Sequence, residues 1–254
     1  MGVRDAPEGA AVTLRGVTVD VAGTPALDGV DLQVRSGERV ALVGPSGAGK
    51  TTLLRVLNGM VVPTAGTVSV LGHHPATADV AARRRVGTIH QQLHLAGPLQ
   101  VIHNVNAGRL PWWSLRRALW SLARPQEQTA ALAALDRVGI AGKARQRTDR
   151  LSGGEQQRVA IARVLVQDPD LVLADEPIAS LDPARAAEVL GLLMRLEDRG
   201  RTRRTLVISL HAFSMALRHC DRIVGLRAGR IAFDLPGCEV TDALGATLYE
   251  LESW

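Results

Sequence analysis

Hydrophobic positions along this chain follow two spacings, and the change between them divides the sequence. Short apolar or alternating runs bounded by Gly and Pro predict β-strands. These strands are Ala11–Asp20, Leu27–Val34, Val40–Val43, Gly66–Leu71, Val86–His90, Leu171–Ala174, Thr205–Ser209 and Ile223–Leu226. Helical spacing predicts Lys50–Met60, Thr129–Val138 and Gln156–Val166, and helix dominates from about Gln100 to Arg150. The pattern therefore predicts an α/β core with a helical insertion in its middle.

The predicted organisation is one domain over residues 11–254, preceded by a disordered segment at residues 1–10 and interrupted by a helical subdomain at about residues 92–167. The 254 residues, 46% of them hydrophobic, suffice to bury a full core. No apolar run reaches the length of a bilayer span, and the N-terminus lacks the apolar core of a secretory signal. Cys220 and Cys238 form no disulfide framework. We therefore expect a cytoplasmic protein.

The net charge of +5 is compatible with a nucleic acid or an anionic membrane surface as partner. Nearly all of the positive charge is arginine, and Lys50 and Lys143 are the only lysines. Because the arginines are spread along the chain, they indicate solvated faces rather than a binding patch. The same interpretation applies to the densest clusters, Arg83–Arg85 and Arg201–Arg204.

The most specific chemical pattern follows the apolar run Arg39–Val43. Its spacing is that of a P-loop, in which small residues let the backbone curl around an anion and direct N–H groups at a phosphate. The segment consists of Gly44, Pro45, Ser46, Gly47, Ala48, Gly49, Lys50, Thr51 and Thr52. Lys50 adds a positive charge, and Thr51 offers Mg²⁺ a hard oxygen ligand. This pattern predicts that the chain binds the phosphates of a nucleoside triphosphate.

Two adjacent carboxylates, Asp175 and Glu176, end the predicted strand Leu171–Ala174. Carboxylates are costly in a core unless a cation or a reaction needs them. We expect Asp175 to hold Mg²⁺ and Glu176 to polarise an attacking water. Upstream, Leu151–Glu155 begins a helix, and its serine and glycine N–H groups predict a second anion site at a helix N-terminus.

Together these motifs resemble those of the ATP-binding subunit of an ABC (ATP-binding cassette) transporter, and the resemblance covers almost the whole chain. It implies a P-loop NTPase core with an N-terminal antiparallel β subdomain and an inserted α-helical subdomain, binding ATP and Mg²⁺. Gly44–Thr52 matches the Walker A loop, and Asp175 and Glu176 match the Walker B aspartate and the catalytic glutamate. Gln91 resembles the Q-loop glutamine that contacts Mg²⁺ and the water. His211 resembles the switch histidine.

The resemblance also implies a head-to-tail homodimer that holds two ATP molecules. The residues that match the signature motif, expected to reach the γ-phosphate of the other protomer, are Ser152, Gly153, Gly154 and Glu155. Asp182 belongs to a segment that resembles the D-loop. In this scheme Lys50 and the signature N–H groups offset phosphate charge, while Glu176 and His211 place the water. A monomer should therefore hydrolyse ATP poorly.

Two departures from the family pattern affect the predicted site. Glu155 stands where the signature usually has Gln, and we expect its carboxylate to face solvent or a neighbouring arginine such as Arg158. The first aromatic ring-bearing residue among Phe, Tyr and Trp is Trp112, so no N-terminal ring can stack on adenine. We expect the base to lie on an aliphatic surface around Val21.

Several segments resemble the ATPase of phosphonate importers in particular. They are Gln91–Leu95, Val105–Leu110, Trp113–Leu115, Ala174–Pro183, Ser209–His211 and Asp221–Arg227. The implied partners are a membrane permease and, through it, a solute-binding protein, with the chain at the cytoplasmic face of the cell membrane. Importers of phosphite, phosphate esters, amino acids or metals remain alternatives, because they share much of this sequence.

A cluster of Trp112, Trp113, Trp120, Arg116 and Arg117 lies in the helical insertion. It can pack the insertion onto itself, dock a permease or contact lipid headgroups.

A chromosome-organising or DNA-repair ABC ATPase is the rival class of function. The insertion lacks the heptad run of a long coiled coil, so we expect no nucleic-acid partner.

Overall fold

A computed structural model of the chain describes residues 9–114, 116–117, 120, 127–179, 181–195 and 203–249. Several positions singled out from the sequence lie outside the described residues: residues 1–8 of the predicted disordered segment, Leu115, Ser180 and Arg201. Ala10, the last residue of that segment, begins the first strand. Among the described residues, no helix combines the length and the hydropathy needed to cross a membrane.

The described strands form two sheets. They are β1 (Ala10–Val21), β2 (Thr24–Arg35), β3 (Arg39–Val43), β4 (Ala65–Val70), β5 (Val86–Ile89), β6 (Leu171–Asp175), β7 (Thr205–Ser209), β8 (Arg222–Arg227) and β9 (Arg230–Pro236). The smaller sheet is antiparallel, in the order β2-β1-β4. The larger has the order β5-β6-β7-β3-β8-β9, parallel except for the antiparallel pair of β8 with β9. The strand β9 was not predicted.

The described helices cover the larger sheet, and several of them lie between β5 and β6 in the chain. They are α1 (Lys50–Leu57), α2 (Val80–Arg83), α3 (Val101–Asn106), α4 (Gln128–Arg137), α5 (Gly153–Gln167), α6 (Pro183–Arg195), α7 (Phe213–His219) and α8 (Asp242–Tyr249). The predicted α/β core, the antiparallel N-terminal sheet and the inserted helices are confirmed. The bounds of the helical subdomain stay a prediction.

Two helix ends differ from the sequence prediction for local reasons. The helix predicted as Lys50–Met60 ends at Leu57, because Gly59 has φ of 77° and a Cβ there would lie 2.6 Å from the Pro75 carbonyl oxygen. The chain must turn at that point. The helix predicted to start at Gln156 starts at Gly153, because Ser152 caps it.

The central strand β3 explains how the two layers meet. Its side chains alternate, so Val40 and Leu42 face the smaller sheet and α1, while Ala41 and Val43 face the helical side. All four are fully buried. Continuous apolar strands of this kind are typical of parallel sheets covered on both faces. The burial fixes β3 and thereby the loop that leaves its carboxyl end.

Candidate functional site

The loop between β3 and α1 is shaped by two glycines that no other residue could replace without strain. Gly44 has φ of 148°, and a Cβ there would lie 2.1 Å from the Leu226 carbonyl oxygen. Gly49 has φ of 103°, and a Cβ would lie 2.6 Å from the Ala26 carbonyl oxygen. The loop is thus pressed against β8 and β2. Its outer residues, Ser46 and Gly47, are exposed.

Lys50, the first residue of α1, folds its side chain back over this loop. Its Nζ donates hydrogen bonds to the carbonyl oxygens of Gly44 at 2.8 Å and Pro45 at 2.9 Å. The residue is only 4% exposed, and burial lowers the pKa of its ammonium group, against the opposing effect of Glu176 and Asp175. A buried cation beside exposed backbone N–H groups is suited to an anionic ligand.

Asp175 connects the end of β6 to α1 and to β7. Its Oδ1 accepts hydrogen bonds from the Thr51 hydroxyl at 3.1 Å and the Ser209 hydroxyl at 2.8 Å. Asp175 is 8% exposed, whereas Ser209 is fully buried. The parallel pairing of β6 with β7 sets Asp175 opposite Ser209, so the sheet itself positions this contact.

Glu176 has an unusual backbone conformation for a carboxylate residue. Its φ is 46°, in the left-handed region that costs a non-glycine residue about 1 kcal/mol or more. The conformation is supported by a hydrogen bond of 2.8 Å from the Glu176 N–H to the Ser209 hydroxyl. Strain of this kind is characteristic of functional sites, and here it directs the carboxylate away from the strand.

The Glu176 carboxylate lies between two side chains predicted from the sequence. The Gln91 amide nitrogen donates to its Oε2 at 3.1 Å, and the His211 Nε2 lies 2.5 Å from its Oε1. Gln91 follows β5 and His211 follows β7, so the ends of neighbouring parallel strands bring the three together. A carboxylate oriented from both sides can hold a water in a fixed position.

These contacts unite most of the predicted site. Lys50, Thr51, Asp175, Glu176, Gln91 and His211 lie at one edge of the larger sheet, whereas the signature segment makes its own contacts. The side chains of Ser152 and Glu155 form a capping box, with the Ser152 N–H donating to Glu155 Oε2 at 2.9 Å. Asp182 pairs with Arg185 at 3.2 Å.

The expectation for Glu155 needs correction. Its carboxylate pairs with Lys143, whereas Arg158 pairs with Glu188 and donates to the Val138 carbonyl oxygen. The reason is geometric. Arg158 lies three residues further along the same helix and points to α4 and α6, whereas Lys143 enters from a separate turn, Ala141–Lys143.

Val21 is predicted to contribute an aliphatic surface for the base, and this stays a prediction. Val21 ends β1 and is 58% exposed. The β1–β2 hairpin is connected to the loop between β3 and α1 through Gly229. The Gly229 carbonyl oxygen accepts a hydrogen bond from the Asp28 N–H at 2.9 Å, and the Gly229 N–H donates one to the Ala48 carbonyl oxygen at 3.1 Å.

An exposed valine offers no hydrogen bond to distinguish one purine from another. We therefore predict that ATP and GTP bind with affinities within about tenfold, since the phosphates common to both supply most of the binding. Competition titration of the two nucleotides measures this. A preference for ATP of about hundredfold, on the order of 3 kcal/mol, would mean that another group reads the base.

Two residues of the site were not identified from the sequence. Ser209 holds both Asp175 and Glu176, as described above. The hydroxyl of Tyr249, in α8, accepts a hydrogen bond from the Gly44 N–H at 3.2 Å and donates one to the His211 carbonyl at 3.3 Å. The chain has a single tyrosine, which could have been a signal, but nothing local in the sequence places the C-terminal helix beside the loop.

The oxygen ligands at the site fit magnesium. Within the described part of the chain no cluster of three or more His, Cys, Asp and Glu side chains could hold a metal alone. Thr51 and Asp175 instead present two hard oxygens at the loop. Mg²⁺ commonly binds in this way, with one or two protein ligands completed by substrate phosphates and water.

Comparison with known proteins agrees with this fold. The family model described as ABC transporter matches residues 27–179. A solved ATP-binding cassette in its ADP conformation covers 93% of this chain and 95% of its own, with a TM-score of 0.80 and 23% identity, which supports the fold. A dimeric cassette bound to ADP and Pi covers 89% of this chain and 98% of its own, with a TM-score of 0.74 and 30% identity.

The chain belongs to the ABC transporter family. Among its relatives, the phosphonates import ATP-binding protein PhnC of Anaeromyxobacter dehalogenans is 51% identical over 95% of this chain, which spans only 49% of that relative's length. The phosphonates import ATP-binding protein PhnC 2 of Pseudomonas aeruginosa is 48% identical over 91% of this chain and 87% of its own.

Proposed function

We propose that this chain is the ATP-hydrolysing subunit of an importer for phosphonates. The observation that carries the proposal is the network of contacts at one sheet edge, in which Ser209 joins Asp175 to Glu176, Thr51 contacts Asp175, and Gln91 and His211 contact Glu176. We assign to this network, together with Lys50, the groups that this chemistry needs within one protomer.

The chemistry of this network is mainly positioning and charge stabilisation. Lys50 and the loop N–H groups bind the β- and γ-phosphates, while Gln91 and His211 orient Glu176 on the attacking water. Thr51 and Asp175 would hold Mg²⁺, which would offset negative charge on the phosphate oxygens.

The proposed active form is a head-to-tail homodimer in which the signature of one copy covers the nucleotide of the other. The fold of this protomer gives no structural reason for glycine at the start of α5. Neither Gly153 nor Gly154 has a positive φ, a Cβ on Gly153 would meet no atom within 4 Å, and one on Gly154 would make only ordinary contacts at 3.7 Å. Their small size leaves open an approach to the helix N-terminus that suits a phosphate from outside.

The proposed contact with a membrane permease lies beside Gln91. Clefts of about 360 and 370 Å³ share Met60, Thr88, His90 and His94. Arg163 of α5 donates to the carbonyl oxygens of Leu93 at 2.9 Å and His94 at 3.1 Å. A permease segment in these clefts would therefore contact both Gln91 and α5, the helix that begins at the signature segment.

The tryptophan cluster borders the same region. The Arg84 guanidinium lies 3.7 Å from the Trp112 ring centroid, and Arg117 lies 5.0 Å from that of Trp113. These stacks give the cluster internal packing, yet Trp112 and Trp120 remain 45% and 62% exposed. Exposed aromatic side chains with stacked arginines are common interface anchors. We assign the exposed rings to the permease contact.

The substrate assignment rests on the names of the relatives and on the segments that resemble phosphonate importers. The proposed function also includes a permease and a solute-binding protein as partners, and a location of the chain at the cytoplasmic face of the membrane. Deleting the gene in its host should abolish growth on a phosphonate as sole phosphorus source and leave growth on phosphate intact. A strain that grows normally on the phosphonate but fails on phosphite, an amino acid or a metal would refute the substrate and leave the ATPase assignment standing.

A further inference from the structure

Glu155 places a negative charge at the signature segment, which in the proposed dimer must bind the negatively charged γ-phosphate of the partner's nucleotide. It is the third residue of α5, the helix whose N-terminus faces the partner's γ-phosphate in the proposed function, on which this inference rests. A carboxylate at this position is compatible with the helix dipole but repels a triphosphate. Some group of this chain must offset that repulsion if the signature is to bind ATP.

The structure provides a partner for each oxygen of this carboxylate. Oε1 pairs with the Lys143 ammonium, and Oε2 accepts from the Ser152 N–H at 2.9 Å. The hydrogen bond from Lys143, followed by that from Ser152, lowers the pKa of Glu155, so the side chain is ionised at neutral pH. The Ser152 hydroxyl in turn accepts from the Glu155 N–H at 3.4 Å.

The backbone of Lys143 is held by hydrogen bonds within its own turn and not by α5, the helix to which Glu155 belongs. Its N–H donates to the Ile140 carbonyl at 3.0 Å, and its carbonyl accepts from the Gln146 N–H at 2.9 Å. It is one of only two lysines in a chain whose other cationic side chains are arginines, and the second, Lys50, lies in the loop. Both lysines thus stand at proposed phosphate sites.

We propose that Lys143 is a positioning residue of the signature segment, which cancels the charge of Glu155 and holds it in the capping box, so that a glutamate can serve at a site for a triphosphate. Lys143 contacts Glu155 and acts on the nucleotide through it. Loss of Lys143 leaves the Glu155 carboxylate at the helix start without a positive partner, held by the Ser152 N–H alone. Loss of Glu155 removes the repulsion and makes Lys143 dispensable.

The test is a set of three variants, Lys143→Met, Glu155→Gln and the double variant, each in a Glu176→Gln background that slows turnover. The ATP concentration that gives half-maximal dimer is measured by light scattering. We expect Lys143→Met to raise it about tenfold, less so at high salt because exposed charges are screened. Glu155→Gln should not raise it, and the double variant should return to within about twofold of the starting protein.

The matched control is Arg145→Met, which removes the same charge from an exposed side chain two residues away and should have no effect. Thermal unfolding and circular dichroism establish that each variant is folded. A normal dimer with Lys143→Met, or a double variant as weak as Lys143→Met alone, would overturn the inference while leaving the proposed function intact. Absence of any ATP-driven dimer in the Glu176→Gln background would overturn the proposed function and, with it, the role of Lys143.

Discussion

Replacement of Glu176 by Gln is expected to lower ATP turnover by about a hundredfold or more while ATP binding persists. The amide keeps nearly the same shape and can still contact Gln91 and His211, but it cannot accept a proton from water. Lys50, Thr51 and Asp175 are untouched, so the phosphates and the metal keep their ligands. The trapped state should be a dimer with two ATP molecules.

Phosphate release and size-exclusion chromatography with ATP measure the two parts of this prediction. Glu239→Gln, an exposed glutamate in the turn Gly237–Glu239, is the matched control and should behave as the wild type. Turnover near the wild-type rate in Glu176→Gln would remove Glu176 from its role. A variant that neither hydrolyses nor binds ATP would indicate that Glu176 holds the metal instead.

Replacement of Ser209 by Ala is expected to cost about 1–3 kcal/mol of unfolding free energy and to lower turnover about tenfold or more. The Ser209 hydroxyl donates to Asp175 and accepts from the Glu176 N–H, and Ser209 itself is fully buried. The substitution leaves the Glu176 N–H without its acceptor and removes the support of a strained φ. The carboxylate should then sample other positions.

Thermal denaturation and steady-state kinetics follow the two effects. Ser69→Ala, on β4 of the smaller sheet, deletes a strand serine hydroxyl outside the sheet that carries the site and serves as control. We expect kcat to fall more than KM rises in Ser209→Ala, because the loop and Lys50 are unchanged. An equal stability loss with normal kcat would confine Ser209 to a structural role.

Local patterns in the sequence gave the greater part of this site. A P-loop is contiguous, so Gly44–Thr52 could be recognised from spacing alone, and Asp175 and Glu176 follow directly from a buried strand that ends in charge. The order of elements also predicted an α/β core, because apolar strands alternate with helical segments. Gln91 and His211 needed the resemblance to a family, since neither residue type at those positions is informative by itself.

Long-range contacts could not be predicted in the same way. Ser209 and Tyr249 serve the site only because β7 pairs with β6 and because α8 returns to the loop. Glu155 is expected from the sequence to face solvent or a neighbouring arginine such as Arg158, whereas its carboxylate pairs with Lys143 on a separate turn. In each of these cases tertiary placement, not local propensity, decides the contact. The edge strand β9, by contrast, could have been predicted, because Ile231, Phe233 and Leu235 alternate with Arg230, Ala232 and Asp234.

Uptake of a labelled phosphonate by host cells tests the central claim most directly. A strain lacking this gene would be complemented with the wild-type chain or with the Glu176→Gln chain, both made in equal amounts. We expect uptake to be lost in the deletion strain, to return with the wild type and not to return with Glu176→Gln. Normal uptake in the deletion strain, or full rescue by Glu176→Gln, would contradict the claim.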